Sequence, residues 1–199
     1  QLAKTSINSP LKGWRQICTI SIQQKIVDYT NENSIAKMGE DWKHITKIDL
    51  TDFISVLFIS SFQKRRDRTS NWFSNDALLE NVPIKKIMSG RKFHIILRFL
   101  HCCSLKNQPR QNDPSYDPVY KVAEIKDLLI DRFNKVFIPG KNLSLDETLI
   151  RAFGRIKFKV RIITKSARYG IKLYVITDAE TAFVLGIIVY TGKTTYHDF

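Results

Sequence analysis

The sequence predicts an α+β fold: a helical N-terminal region followed by antiparallel strands. Three observations carry this. The first two thirds of the chain place apolar residues at helical spacing. A breaker, Ile138-Pro139-Gly140, interrupts that pattern. After it the residues become β-branched and the period falls to two, the repeat of a strand. The boundary implied is a helical region over 1–137 and the opening of a mixed α/β domain over 138–199.

The elements follow in order. Gln23 to Tyr29 is a short helix candidate. Leu50 to Phe62 is apolar over most of its surface and predicts a buried helix. Asn71 to Asp76 is turn-rich. Ile84 to Leu100 carries Ile87, Phe93, Ile96, Leu97 and Leu100 at helical spacing and predicts one helix. Lys106 to Pro118 holds Pro109, Pro114 and Pro118 and predicts an exposed loop. Lys121 to Phe137 spaces Val122, Ile125, Leu128, Leu129, Phe133 and Val136 as one helix face. Leu143 to Ile150 predicts a strand. Ile171 to Thr177 and Phe183 to Tyr190 predict a hairpin across Asp178–Ala182. There is no internal repeat and no low-complexity tract.

Composition points to polyanions. The chain has 199 residues, 32 Lys+Arg against 19 Asp+Glu, and a formal net charge of +13. Its pI is about 9.7. Nucleic acid is the first partner implied and an anionic membrane surface the second. The longest apolar stretch, Phe53 to Phe62, is interrupted by serines and falls far short of the roughly 20 residues of a spanning helix. No signal peptide is read at the start. Cys18, Cys102 and Cys103 make an odd set with two adjacent, which suits a reducing compartment rather than a disulfide framework. Gln1 in place of Met, and a Thr-rich stretch before Phe199, predict a piece of a longer protein.

The positive charge is clustered. Asn81 to Asn112 holds seven basic residues and no acid. Arg151 to Lys172 holds eight and no acid: Arg151, Arg155, Lys157, Lys159, Arg161, Lys165, Arg168 and Lys172. Within the second tract Arg155, Lys157, Lys159 and Arg161 alternate with Ile156, Phe158, Val160 and Ile162. On a strand this would form a row of four cations on one face, fitted to a phosphate backbone. The same pattern suits a protected edge strand. The absence of any acid favours the polyanion site, since solvated faces usually mix signs.

Asp146-Glu147 interrupts an apolar strand. A carboxylate buried there needs a cation or hydrogen bonds. Neighbours on a strand face opposite ways, so the two do not serve one site as an acid pair. One of them is a Mg²⁺ ligand or, more simply, a partner of Arg151 or Arg155. His94 and His101, seven apart near Cys102 and Cys103, lack the tighter spacing of zinc ligands. No phosphate-cradling Gly-rich loop is present.

From Ser144 to Lys193 the sequence resembles the piggyBac transposase family. The matching residues are Leu145-Asp146-Glu147, Gly154-Arg155, Phe158, Lys165, Tyr169-Gly170-Ile171-Lys172 and Tyr190-Thr191-Gly192-Lys193. Upstream, Tyr29-Thr30-Asn31, Trp42, Trp72, Met88-Ser89, Arg98-Phe99-Leu100-His101 and Asp117-Pro118 also match, in order. The chain departs from the family at Ile163 and Ser166, where prolines usually stand, near Arg151-Ala152-Phe153, and around Ser61 to Asp67.

The resemblance implies a ribonuclease-H-like catalytic domain that cuts and joins DNA with three acids and two divalent metals. Asp146 matches the first acid and is the expected catalytic and metal-binding residue. The other two acids are expected beyond Phe199, so the chain alone is not expected to cleave. The resemblance also implies Mg²⁺ in the longer protein, duplex DNA as partner, a homodimer, a dimerisation and DNA-binding role for the helical region, a nuclear location, and no small-molecule substrate. Arg155, Lys157, Lys159, Arg161, Lys165, Arg168 and Lys172 are the expected DNA contacts. A host-adopted DNA- or chromatin-binding protein that no longer cuts is the alternative. A basic RNA-binding module would need stacking aromatics on an open sheet, and Phe158 and Tyr174 read as core instead.

Overall fold

The computed structural model describes residues 9–63, 70–73, 82–110, 112–163 and 168–192. The chain forms two compact units: Ser21–Lys106, and Gln1–Ile20 together with Asn107–Phe199. The composition break at 138–140 marks the change from helix to strand, but the compact units divide elsewhere. Among the described residues no helix is long and apolar enough to cross a membrane.

The first unit is helical. It holds nearly all of α2 (Ile20–Met38), then α3 (Lys47–Gln63), α4 (Ser70–Phe73), α5 (Val82–Ile87) and α6 (Gly90–Phe99). Thr46 and Asp49 close the start of α3 reciprocally. The Asp49 amide donates to Thr46 Oγ1 (3.3 Å) and the Thr46 amide to Asp49 Oδ2 (2.9 Å), a capping box. Leu50, Phe53 and Val56 on α3 join Trp42, Trp72, Ile84, Phe93 and Ile96 in one core. Burial all round α3 does not hold: Phe58 is 54% and Phe62 82% exposed. Only one stripe of this helix is covered within its unit.

The single helix expected over Ile84 to Leu100 is two. Ser89 leaves the helical region and its Oγ accepts from the Lys92 amide, so it starts α6 as an N-cap. Gly90 follows because Trp72 lies against it; a Cβ there would meet Trp72 Cγ at 2.9 Å. The Trp72 indole donates to the Met88 carbonyl at 2.8 Å. Three polar side chains of α2 brace the unit. Asn31 accepts from the Trp42 indole and the Ile45 amide, both at 2.9 Å. Asn33 donates to the Cys103 carbonyl and accepts from the Leu105 amide. Thr30 exchanges bonds with the His101 backbone.

The second unit holds α1 (Pro10–Ile17), which apolar spacing does not announce, α7 (Tyr120–Val136) and the sheet. Ser9 caps α1 and Pro10 opens it. Arg132 of α7 donates through Nε to the Gln16 carbonyl at 2.9 Å. The strands are β1 (Leu143–Arg151), β2 (Val160–Arg161), β3 (Tyr169–Asp178) and β4 (Val184–Val189). β3 is central and all pairing is antiparallel: β1 runs along one edge, while β2 and β4 share the other. The hairpin expected across Asp178–Ala182 joins β3 to β4. α7 packs on β4, with Phe137 stacked on Phe183 at 4.4 Å between ring centres and Asn134 Nδ2 bonded to Leu185 O at 3.1 Å.

Of the alternating segment Arg155 to Ile162, which would present a row of cations if extended, only Val160–Arg161 is strand. Strands need partners, and β3 offers a free edge only from Tyr169 and Gly170. Before that, Ile156 N bonds Gly154 O (3.1 Å) and Lys159 N bonds Ile156 O (3.2 Å), so the chain turns instead of extending.

Candidate nucleic-acid and catalytic site

Directly opposed residues of an antiparallel pair point to the same side of the sheet. Asp146 stands opposite Val175, and Val175 opposite Ile187. That face also carries Thr148, Ile150, Ile171, Leu173 and Val189. The opposite face carries Glu147, Leu149, Lys172, Tyr174 and Ile188.

Asp146 is exposed, so it does not bear the burial cost expected of a carboxylate on an apolar strand. Its Oδ1 accepts from the Glu147 amide at 2.7 Å. Glu147 turns to the other face, as strand alternation requires. Its partner there is neither Arg151 nor Arg155 but Lys172, with Nζ 2.6 Å from Glu147 Oε2. Lys172 Nζ also lies 4.8 Å from the ring centre of Tyr174 and 5.7 Å from that of Tyr190. The hydrogen bond to Glu147, reinforced by Tyr174, holds the ammonium pKa above its ordinary value.

The other cations do not form one row. Arg155 and Lys157 line a cavity of about 820 Å³. Ile150, Ile171, Leu173, Ile187 and Val189 also line it, so Asp146 stands on the sheet face that floors it. The first residues of α7, with Lys121 and Val122, form another wall. Lys159 reaches back to the Gly154 carbonyl at 3.2 Å. Arg161 lies over the Tyr169 ring at 5.6 Å. Arg168 is exposed, and Lys165 lies outside the described residues. Phe158 and Tyr174 are half-buried.

Asp178, which the sequence presents only as the start of a turn, carries four bonds. Its carboxylate accepts from the amides of Gly140, Glu180 and Thr181 and from the Thr181 hydroxyl. These donors, Gly140 first, pull its pKa from 3.8 down to about 2. The contact explains Gly140: a Cβ there would meet Asp178 Oδ2 at 3.1 Å.

A divalent ion needs several oxygen ligands. Among the described residues no three His, Cys, Asp or Glu side chains cluster to hold one. Asp146 is a single carboxylate, and Glu147 faces away into an ion pair. These residues do not by themselves fit a metal centre.

The family model described as Transposase IS4 matches residues 9–198. The chain belongs to this transposase family. A cryo-EM structure of a piggyBac transposase synaptic complex with hairpin DNA is similar over 94% of this chain, at 26% sequence identity and a TM-score of 0.78. The piggyBac kinship carried by Leu145-Asp146-Glu147 and Tyr169-Gly170-Ile171-Lys172 therefore stands, as does the α+β fold. This piggyBac-type chain spans 40% of the length of that transposase.

Proposed function

We propose that this chain is the DNA-binding part of a cut-and-paste transposase and presents the first acid of its catalytic set, Asp146. The observation that carries the reading is the strand placement of Asp146. It is exposed on one face of β1, while the adjacent carboxylate lies on the other face, paired with Lys172. A carboxylate left open to solvent beside a tract of cations suits a site that meets both a divalent ion and a phosphodiester. Mg²⁺ is the ion proposed for the longer protein, where further acids complete the ligand set. Within this chain, Arg155, Lys157, Lys159, Arg161 and Arg168, with Lys165, supply positive charge for the DNA backbone. Duplex DNA is the partner, a second copy of the protein the other, and the nucleus the place of action.

Two experiments test this. In this chain, Arg155→Gln with Lys157→Gln should flatten the plot of log affinity against log salt for duplex DNA, by about one unit for each phosphate that is no longer neutralised. An unchanged slope removes these residues from the interface. In the longer protein, Asp146→Asn should abolish strand cleavage and leave DNA binding intact. Cleavage that survives refutes the role of Asp146, and failure to bind makes Asp146 structural. A longer protein that binds DNA but never cleaves it, whatever stands at 146, is the host-adopted alternative.

A further inference from the structure

β1 has little hydrophobic reason to keep its register. Leu143, Leu145 and Ile150 are 56%, 57% and 51% exposed. Only Glu147 and Leu149 are partly covered, and both lie on the face of Lys172. Register is strongly specified where one face of a strand is buried and weakly where it is not. A slip of one residue would send Asp146 to the wrong side of the sheet and Glu147 to its place. The chain has a carboxylate at both positions, so charge alone does not decide which is presented.

Lys172 distinguishes them. Its ammonium bonds Glu147 on β1 at 2.6 Å and lies over Tyr174 on its own strand, β3. It also lies over Tyr190, which follows β4 and whose amide donates to the Lys172 carbonyl at 2.9 Å. One side chain thus ties together the edge strand, the central strand and the end of the third. Tyr174 and Tyr190 meet edge to face at 6.4 Å and wall the ammonium on two sides. Glu147, once anchored, holds its amide on Asp146 Oδ1 at 2.7 Å.

We propose that Lys172 is a positioning residue and not a phosphate contact: by clamping Glu147 to the far face it locks the β1 register that presents Asp146. The functional half of this rests on the proposed role of Asp146; the register half stands on geometry alone.

The test uses the intact chain and nuclear magnetic resonance. In the wild type, cross-strand contacts should pair Asp146 with Val175 and Glu147 with Tyr174. Lys172→Met and Glu147→Gln should each weaken those contacts and lower hydrogen-exchange protection of β1 amides roughly five-fold, the scale of a charge-assisted hydrogen bond partly screened by solvent. The double variant should be no worse than either single one. Lys172→Arg, which keeps the ion pair and the ring contacts, should restore protection. The salt slope of DNA binding should stay unchanged in Lys172→Met while it falls on substitution of Arg155 and Lys157. In the longer protein, Lys172→Met should lower kcat for cleavage without raising KM for DNA. If Lys172→Met does not fold, the near-isosteric Glu147→Gln decides the matter. Intact β1 protection in Glu147→Gln, additive effects in the double variant, or a fallen salt slope in Lys172→Met would each overturn the clamp. Continued cleavage by Asp146→Asn sinks the catalytic reading yet leaves the register result untouched.

Discussion

Asp178 and Asp146 are the same residue type on paired strands of one sheet, with opposite surroundings. Asp178 is buried among three amides and a hydroxyl, and its pKa falls from 3.8 to about 2. A depressed folded-state pKa stabilises the fold above the unfolded value, and that contribution disappears as pH falls through the folded value. Thermal unfolding followed from pH 5 downward should therefore show a drop in stability between about pH 4 and pH 2. Asp178→Asn should flatten that acid limb and lower the melting temperature at neutral pH; an unchanged limb would remove Asp178 as its source. The sequence shows Asp146 as a strand residue and Asp178 only as the start of a turn, and it shows the exposure of neither. Asp146 stands out through its family motif and its place in β1. The cost of burying a carboxylate singles out the same residue, yet Asp146 is exposed and bears no such cost. The sequence places Lys172 among the expected DNA contacts; a run of cations does not show which one has an acid on the neighbouring strand, and here Lys172 pairs with Glu147. The register that brings Glu147 beside it depends on pairing between segments that are not neighbours in the chain.

At the scale of elements, periodicity locates the helices and strands well but misplaces breaks and partners. α7, β1, β3 and β4 lie close to where apolar spacing puts them. The break between α5 and α6 depends on Ser89 and Gly90, residues whose meaning comes from Trp72, distant in sequence. Ser89→Ala should remove the cap and cost about 1 kcal/mol in chemical denaturation. The cationic alternation over 155–161 has the period of a strand without a neighbour to pair with. Gly170 shows how tightly the real pairing closes: β1 and β2 both meet it, and a Cβ there would run into the Ile150 carbonyl oxygen. Gly170→Ala should cost roughly 1–3 kcal/mol by forcing the strands apart. A denaturation midpoint equal to wild type would show that β1 yields freely.

For the molecule as a whole, a net charge of +13 sets long-range attraction to polyanions, and the two compact units set what each part can do alone. The family motifs of the N-terminal half have a structural meaning that sequence alone does not disclose. Thr30, Asn31, Trp42, Trp72 and Met88 are the hydrogen-bonding and packing braces of the helical unit. Trp42 and Trp72 both sit in that core, so their fluorescence should report its unfolding. Asn31→Ala should shift that transition to lower temperature while leaving the exchange protection of β3 and β4 unchanged. The order of the sheet carries one more consequence. β1 precedes β3, its one strand partner among the described residues, with the turn-forming basic segment and β2 between them. A ribosome adds roughly 5–20 residues per second, so each nascent copy holds β1 as an unpaired apolar segment for on the order of seconds before β3 emerges to receive it. The charges that follow β1 are then the first part of this domain to leave the exit tunnel after it. Copies of that basic segment carry like charge, so neighbouring nascent chains should repel one another there during that interval.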